Sequence, residues 1–333
     1  MRLTHLHWGL ALSSTVPVSC WIPSRSSNYG SSGFRYFNES LYRSRRLYGS
    51  NSNESAGADS EILESLAKRL SNQKFQNVVV LMGAGASVSA GIPDFRSPGT
   101  GLYDRLQHYQ LPYPEAIFDL DYYRDQPKPF VELCQEIWPG KEGGPRPTLA
   151  HAFCKVLEDQ GMLRRIYTQN IDGLESLAGI DTDKLVECHG HFRTSSCIKC
   201  RSTMSIDDCR REMVEKMEVP ICKQCGSYVK PDIVFFGEEL PARFQELVSS
   251  DTDSADLLLV MGTSLMVMPV AAIPSWVSHD CPRLLLNRER VGHFLRIQSR
   301  DVFFEGDCDD GVREICKLAG WESLLGDQFQ DCR

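Results

Sequence analysis

The chain has 333 residues, 42% apolar and 24% charged, a composition ordinary for a globular protein with room for two domains. No window approaches about eighteen uninterrupted apolar residues, so no membrane span is expected. Residues 1–50 hold six arginines against one acid, Glu39, a local +5 that leaves −13 for the remainder of a chain at −8 overall. A body that acidic excludes general nucleic-acid binding, which needs a basic face.

The first fifty residues also contain eleven serines and no lysine. An Arg-rich, Ser-rich, acid-poor leader is the composition of a mitochondrial transit peptide, the alternative being a tail without an address. Residues 1–55 are therefore set apart from the folded chain. Ser60 to Leu70 then places Ile62, Leu63, Leu66 and Leu70 on one face, an amphipathic helix capped by Ser60 or Asp59. Asn77–Met82 is short, β-branched and stopped by glycine, as a buried parallel strand is. It runs straight into GAGASVSAGIPDFR, residues 83–96, where small residues let backbone N–H groups approach a phosphate.

Residues 105–147 fall in a Pro-, Tyr- and Gly-rich stretch with a helical piece at Phe130–Trp138, and Thr148–Gly161 is a further helix ended by glycine. Strands are expected at Arg165–Gln169, Leu185–Cys188, Asp232–Phe236, Asp256–Gly262, Arg283–Asn287 and Asp301–Glu305. Several end in polar or glycine clusters, which is where a doubly wound sheet binds nucleotides. The expected fold is α/β: a Rossmann-like parallel sheet from residues 60–104, 148–191 and 231–325, with a smaller zinc-binding and helical domain. Residues 326–333 are a tail.

Among thirteen cysteines only four form a pattern, Cys197-x-x-Cys200 and Cys222-x-x-Cys225. Four thiolates in two such turns make a closed tetrahedral zinc site of the structural kind, within a module at about residues 192–230. Zinc there contributes folding energy and does no chemistry. The odd count and irregular spacing of the other cysteines argue against a disulfide framework.

Together GAGASVSAGIPDFRSPGTGLY, YTQNIDGLE, VECHG, the cysteine pairs, VKPDIVFFGE, MGTSL and LLLNRE resemble, in that order, the sirtuins, NAD-dependent protein lysine deacylases; the likeness spans about residues 60–325. LPYPEAIF and KPDIVFFGE are most similar to the branch of mitochondrial and cytosolic deacetylases, and the leader favours the mitochondrial matrix. The resemblance implies that NAD is consumed as co-substrate, that acetylated lysine proteins are the partners, and that nicotinamide and O-acetyl-ADP-ribose are released. It implies His189 as general base and Asn170 as its catalytic companion. The dinucleotide would be held by Ala84, Gly85, Ala86, Ser87, Val88, Asp94, Phe95, Arg96, Gln169, Asn170, Ile171, Asp172, Thr263, Ser264, Asn287, Arg288, Glu289 and Cys308. Ala84–Ala86 would carry the diphosphate on backbone N–H groups. Val234, Phe235, Phe236 and Gly237 would wall an apolar acyl-lysine tunnel, which suits a neutral stem better than an ammonium. Cys188, beside the base, is expected to slow turnover when modified. Two alternatives remain open: transfer of ADP-ribose to a protein, and a non-catalytic zinc-ribbon interaction protein.

Overall fold

A computed structural model describes residues 52–331 apart from 98, 100, 142, 296 and 297; most of the expected leader lies outside them. Helix α1 (Ser52–Ser71) begins earlier than the expected cap at Ser60 or Asp59. Its face at Leu63, Leu66 and Leu70 is buried, while Ile62 is exposed. β1 (Val78–Met82) follows, buried at every position. The helical module contributes α2 (Lys128–Ile137), and α3 (Leu149–Asp159) leads into β2 (Leu163–Thr168) and β3 (Leu185–Glu187). β4 (Gly190–Cys197), β5 (Thr203–Met204) and β6 (Val229–Ile233) form a separate three-stranded sheet in the order β5-β4-β6. The chain returns through α4 (Ala242–Ser254), β7 (Leu257–Met261), β8 (Arg283–Asn287), β9 (Asp301–Glu305), α5 (Cys308–Ala319) and α6 (Glu322–Asp331).

The main sheet has six parallel strands in the order β3-β2-β1-β7-β8-β9, with Val80 opposite both Ile166 and Leu259. Strand order reverses between β1 and β7, and a crevice opens at the carboxyl ends where connections leave to opposite faces. Alternation along β1 fills both faces. Val78, Val80 and Met82 pack with α1, α3, α5 and α6, whereas Val79 and Leu81 pack with Phe244 of α4, Ile273 and Phe294.

The run Asp232–Phe236 is not a strand of this sheet, contrary to expectation. β6 ends at Ile233 and pairs antiparallel with β4, Gly190 opposite Ile233 and Cys197 opposite Val229. The apolar character of this run is satisfied elsewhere: Phe235 packs edge-on against Phe118, Tyr123 and Phe130 at centroid separations of 6.0, 5.6 and 4.9 Å. That aromatic cluster is the core of the small domain and joins the helical module to the zinc module. Among the described residues no helix is long and apolar enough to cross a membrane.

Two buried charge clusters brace the main sheet. Arg283 grips Asp301 with two bonds of 2.7 Å, and its guanidinium lies 4.9 Å from the Phe294 ring centre. Asp251, fully buried on α4, accepts from Arg164 at 2.7 Å, Arg165 at 2.8 Å and the Tyr167 hydroxyl at 2.8 Å, tying α4 to β2. Burial alone would raise its pKa, but these bonds win and hold the carboxyl below the usual range. Removing one partner of such a cluster strands buried charge. Asp251→Ala is expected to cost about 3–5 kcal/mol in denaturant unfolding.

Candidate active site and metal centre

At the strand-order reversal the loops after β1 and β7 touch. The Gly85 N–H donates to the Gly262 carbonyl at 2.8 Å, and a Cβ added to Gly85 would lie 2.6 Å from the Gly262 Cα. Gly262 itself has φ +61, and a Cβ there would meet the Ala86 nitrogen at 2.4 Å. Only glycine satisfies both the sign of φ and the approach. A short 3₁₀ helix, Ala84–Ala90, follows β1. The Gly85 and Ala86 N–H groups are spent on Gly262 and Gly83 carbonyls, so neither is presented to a diphosphate in this conformation. Val88 lies half-buried in the same short helix.

The polar ends of β1, β2 and β7 meet in one network. The Asn170 Nδ2 donates to the Gly83 carbonyl and to Ser87 Oγ, both at 3.2 Å, and Ser87 Oγ donates to Asp172 Oδ2 at 2.8 Å. Asp172 Oδ1 accepts the Leu174 N–H at 3.0 Å, and the Thr263 hydroxyl donates to Gln169 Oε1 at 2.6 Å. Ser87 is completely buried and Asn170 nearly so, while Asp172 is half-buried.

His189 follows β3, and its Nδ1 lies 2.9 Å from the Gln169 carbonyl. A carbonyl only accepts, so Nδ1 carries the hydrogen and Nε2 keeps its lone pair. Burial pulls the imidazole below its usual pKa, partly opposed by that hydrogen bond, so it is neutral at pH 7. A neutral imidazole with a free Nε2 lone pair is a competent general base. Cys188 beside it is fully buried, and burial drives its thiol far above the ordinary range. It is therefore poorly suited to modification in the folded protein.

Behind the network sit two groups that the sequence reading did not assign, His151 and Glu175. Ligating atoms of His151, Asp172 and Glu175 lie within 4.8 Å of one another. The Thr148 N–H donates to His151 Nδ1 at 3.2 Å, so this second histidine carries its hydrogen on Nε2, the reverse of His189. Burial, with a smaller contribution from the Asp172 charge, pushes Glu175 up to about 8, against hydrogen bonds from Thr168 and its own backbone. Glu175 stands inside the quoted motif YTQNIDGLE, three residues past Asp172, but burial of an acid at that place is decided by tertiary packing.

Other expected cofactor residues are placed unevenly. Asp94 accepts from the Arg96 and Ser97 backbone N–H groups at 2.9 and 2.6 Å and from the Ser97 hydroxyl, so it holds its own turn. Phe95 rests between Tyr103 and Phe118 at 5.7 and 6.0 Å. Arg96 reaches Glu115 at 3.4 Å and lies 5.4 Å from the Tyr103 ring centre. Ile171 packs against the small-domain core. Ser264 is exposed. Asn287 donates to the Glu289 carbonyl at 2.8 Å, and Arg288 pairs with Asp307 at 2.5 Å. Cys308 is buried with its sulfur 3.6 Å from the Leu286 carbonyl, a core contact at the adjoining helix start.

The expected tunnel wall divides. Phe235 is a buried core ring; Val234 is half-buried, and Phe236 and Gly237 are exposed. The Val234 N–H donates to the His189 carbonyl at 2.7 Å, which ties this segment to the backbone of the candidate base.

The four patterned cysteines come together. Cys197 and Cys225 sulfurs are 3.4 Å apart and those of Cys200 and Cys222 3.6 Å, close to the ~3.8 Å edge of a tetrahedron with zinc–sulfur bonds of about 2.3 Å. None is in a disulfide. Backbone N–H groups of Lys199 and Cys200 approach Cys197 Sγ at 3.4 and 3.5 Å, and that of Gln224 approaches Cys222 Sγ at 3.4 Å. N–H donors around sulfur stabilise thiolate, so the residues fit a structural zinc ion.

Fold and site together define a dinucleotide-binding α/β enzyme with a structural metal module. The chain matches the model of the Sir2 family over residues 83–269 and belongs to that family. Its relatives include NAD-dependent protein deacetylase sirtuin-2 of Danio rerio, 46% identical over 80% of this chain and 74% of its own. NAD-dependent protein deacetylase sirtuin-3 of Mus musculus is 48% identical over 80% of this chain and 79% of its own. NAD-dependent protein deacetylase hst2 of Schizosaccharomyces pombe is 46% identical over 80% and 79%.

Glu175 makes a pH prediction. The native state keeps its proton to about pH 8, whereas an unfolded glutamate, at its ordinary 4.5, loses it earlier. Between those limits the native state binds more protons, so this group's burial erodes stability as pH rises. Glu175→Gln cannot ionise and is expected to gain stability relative to wild type from pH 5 to 8. The gain is on the order of a few kcal/mol across the window. Denaturant titrations at intervals of pH read the difference, and parallel curves would remove the assignment.

Proposed function

We propose that this chain is an NAD-dependent protein lysine deacetylase in which His189 acts as the general base. The observation that carries the reading is the His189 Nδ1 bond to the Gln169 carbonyl, because it fixes the neutral tautomer with a lone pair on Nε2 and ties the ring to the residue before Asn170 of the Asn170–Ser87–Asp172 network. The deacetylase names of relatives at 46–48% identity support the same reaction. Ser87, Asn170, Asp172, Gln169 and Thr263 would hold the nicotinamide end, and Asn287, Arg288 and Glu289 the adenosine end. Bound NAD supplies a glycosyl bond whose breakage frees nicotinamide and makes the ribose an electrophile for the acyl oxygen.

The protein's own residues then have separate tasks. Asp172 accepts hydrogen bonds at the sugar position, and Ser87 and Asn170 keep its carboxylate oriented. Phe95, braced by Tyr103 and Phe118, screens the face of the crevice from water. His189 Nε2 takes a proton from a ribose hydroxyl, and the Gln169 carbonyl stabilises the imidazolium that results. Val234, Phe236 and Gly237 line the approach of the acylated side chain with apolar surface and backbone. Residues 234–237 contain no cation, which favours neutral acyl groups. Exposed Met266 and Met268 beyond the β7 loop favour apolar residues flanking the lysine. Zinc on Cys197, Cys200, Cys222 and Cys225 holds the module's shape.

His189→Ala is expected to lower kcat/KM at least about 100-fold while NAD still raises the melting temperature and one zinc per chain is retained. Nicotinamide release at the wild-type rate would refute the role of the base. The arginine- and serine-rich composition of residues 1–50 supports a mitochondrial address. Residues 1–55 fused to a fluorescent protein are expected to carry it into mitochondria, and diffuse fluorescence would overturn that address.

A further inference from the structure

The acyl-lysine segment is held by a buried carboxylate that also reaches the metal module. Glu238 is 6% exposed in its side chain and has three partners. Its Oε2 accepts from Lys230 Nζ at 2.7 Å and from the Phe235 backbone N–H at 2.9 Å, and its Oε1 accepts from Arg201 Nη1 at 3.2 Å. The Glu238 N–H returns to the Phe235 carbonyl at 3.0 Å, closing residues 235–238 into a tight loop. Lys230 is buried too. Its ammonium also donates to the Ile233 carbonyl at 2.6 Å and lies 4.5 Å from the centre of the Phe235 ring. Burial lowers its pKa, and the Glu238 carboxylate works against that shift.

Arg201 is the residue after the metal ligand Cys200, and its backbone has φ +58, so the cysteine turn itself aims its side chain. The same loop is pinned from two further sides. Phe236 exchanges backbone bonds with Phe118 and Leu120 at 2.8 and 3.0 Å, and Val234 bonds the His189 carbonyl at 2.7 Å. Of these anchors only Arg201 comes from the cysteine turns, which makes Glu238 the junction between the metal centre and the substrate wall.

We propose that Glu238 is a positioning residue that clamps the acyl-lysine loop and couples its geometry to the zinc turn through Arg201, with Lys230 as the buried counter-charge. This rests on the deacetylase reading and adds a linkage to it: the metal module shapes the substrate wall and leaves the dinucleotide loops alone. Such a linkage is reciprocal, so occupancy of the acyl-lysine site slows loss of the metal.

The test uses the full-length zinc-loaded protein, an acetyl-lysine peptide, NAD and a chromophoric zinc chelator. Arg201→Ala is expected to raise the peptide KM about two- to fivefold, the scale of an ion pair exposed at one end. The NAD KM, kcat and zinc content stay within twofold. Glu238→Gln, which keeps an acceptor for the Phe235 N–H but loses the charge, is expected to raise the peptide KM about tenfold or more. In wild type the peptide slows zinc release to the chelator; in both variants that protection is lost. Arg201→Lys restores part of it, so the clamp remains testable should Glu238→Gln fold poorly. Unchanged peptide KM in Arg201→Ala, or peptide protection of zinc equal in wild type and variant, would overturn the clamp. Nicotinamide release by the wild type separates the two claims: its presence with unaltered variants sinks the clamp alone, and its absence sinks the deacetylase reading beneath it.

Discussion

The site depends on one close approach, that of the loops after β1 and β7 at the reversal of strand order. Glycine at 85 and 262 lets two backbones meet where any Cβ would lie 2.6 Å or less from main-chain atoms. The contact is closed by the Gly85 N–H to Gly262 carbonyl bond. It brings Thr263 to Gln169 and leaves Ser87 between Asn170 and Asp172. The polar network is thus assembled by main-chain geometry, with side chains from three strands arriving at a spot that the sheet has already defined. A side chain at either glycine would part the loops and dissolve the network without touching a polar residue.

Burial sets the protonation of this region, and it does so with opposite consequences for two histidines. Both are held neutral chiefly by desolvation. The carbonyl facing His189 Nδ1 forces its hydrogen there and leaves a lone pair on Nε2, whereas the N–H facing His151 Nδ1 forces the hydrogen to Nε2, which is buried without a hydrogen-bond partner. One ring thereby keeps a lone pair at Nε2 and the other a hydrogen. Glu175, neutral for the same reason of burial, keeps the pocket from carrying two adjacent carboxylates at pH 7.

Much of this was legible in the residues. The β1, β2, β3, β7, β8 and β9 runs, the glycine turn and the cysteine pairs are local signals, because they are written as short apolar blocks, small residues at turns and fixed ligand spacing. The run Asp232–Phe236 misled because apolar residues do not say what buries them; here an aromatic cluster does, and the chain leaves the strand at Ile233. Residues such as Glu175, Lys230 and Glu238 stand in plain view within the quoted motifs, yet their roles come from partners distant in sequence or from tertiary burial. Likewise Asp94 reads as a ligand beside Arg96 until its carboxylate is seen to be satisfied by Arg96 and Ser97. Polar residues announce chemistry only when their hydrogen bonds have been counted.

The candidate base stands on the seam between two separately built cores, and this arrangement explains how a polar site coexists with a stable fold. The sheet is secured by its apolar faces and by the buried clusters at Asp251 and Asp301, and neither charge cluster bonds to the loops after β1 and β7. The small domain is secured by rings packed edge to face and by the cysteine centre. His189 lies between β3 of the first body and β4 of the second, and its carbonyl receives the Val234 N–H from the segment after β6. A shift of one body against the other would therefore carry His189 and Val234 together, because one backbone bond joins them.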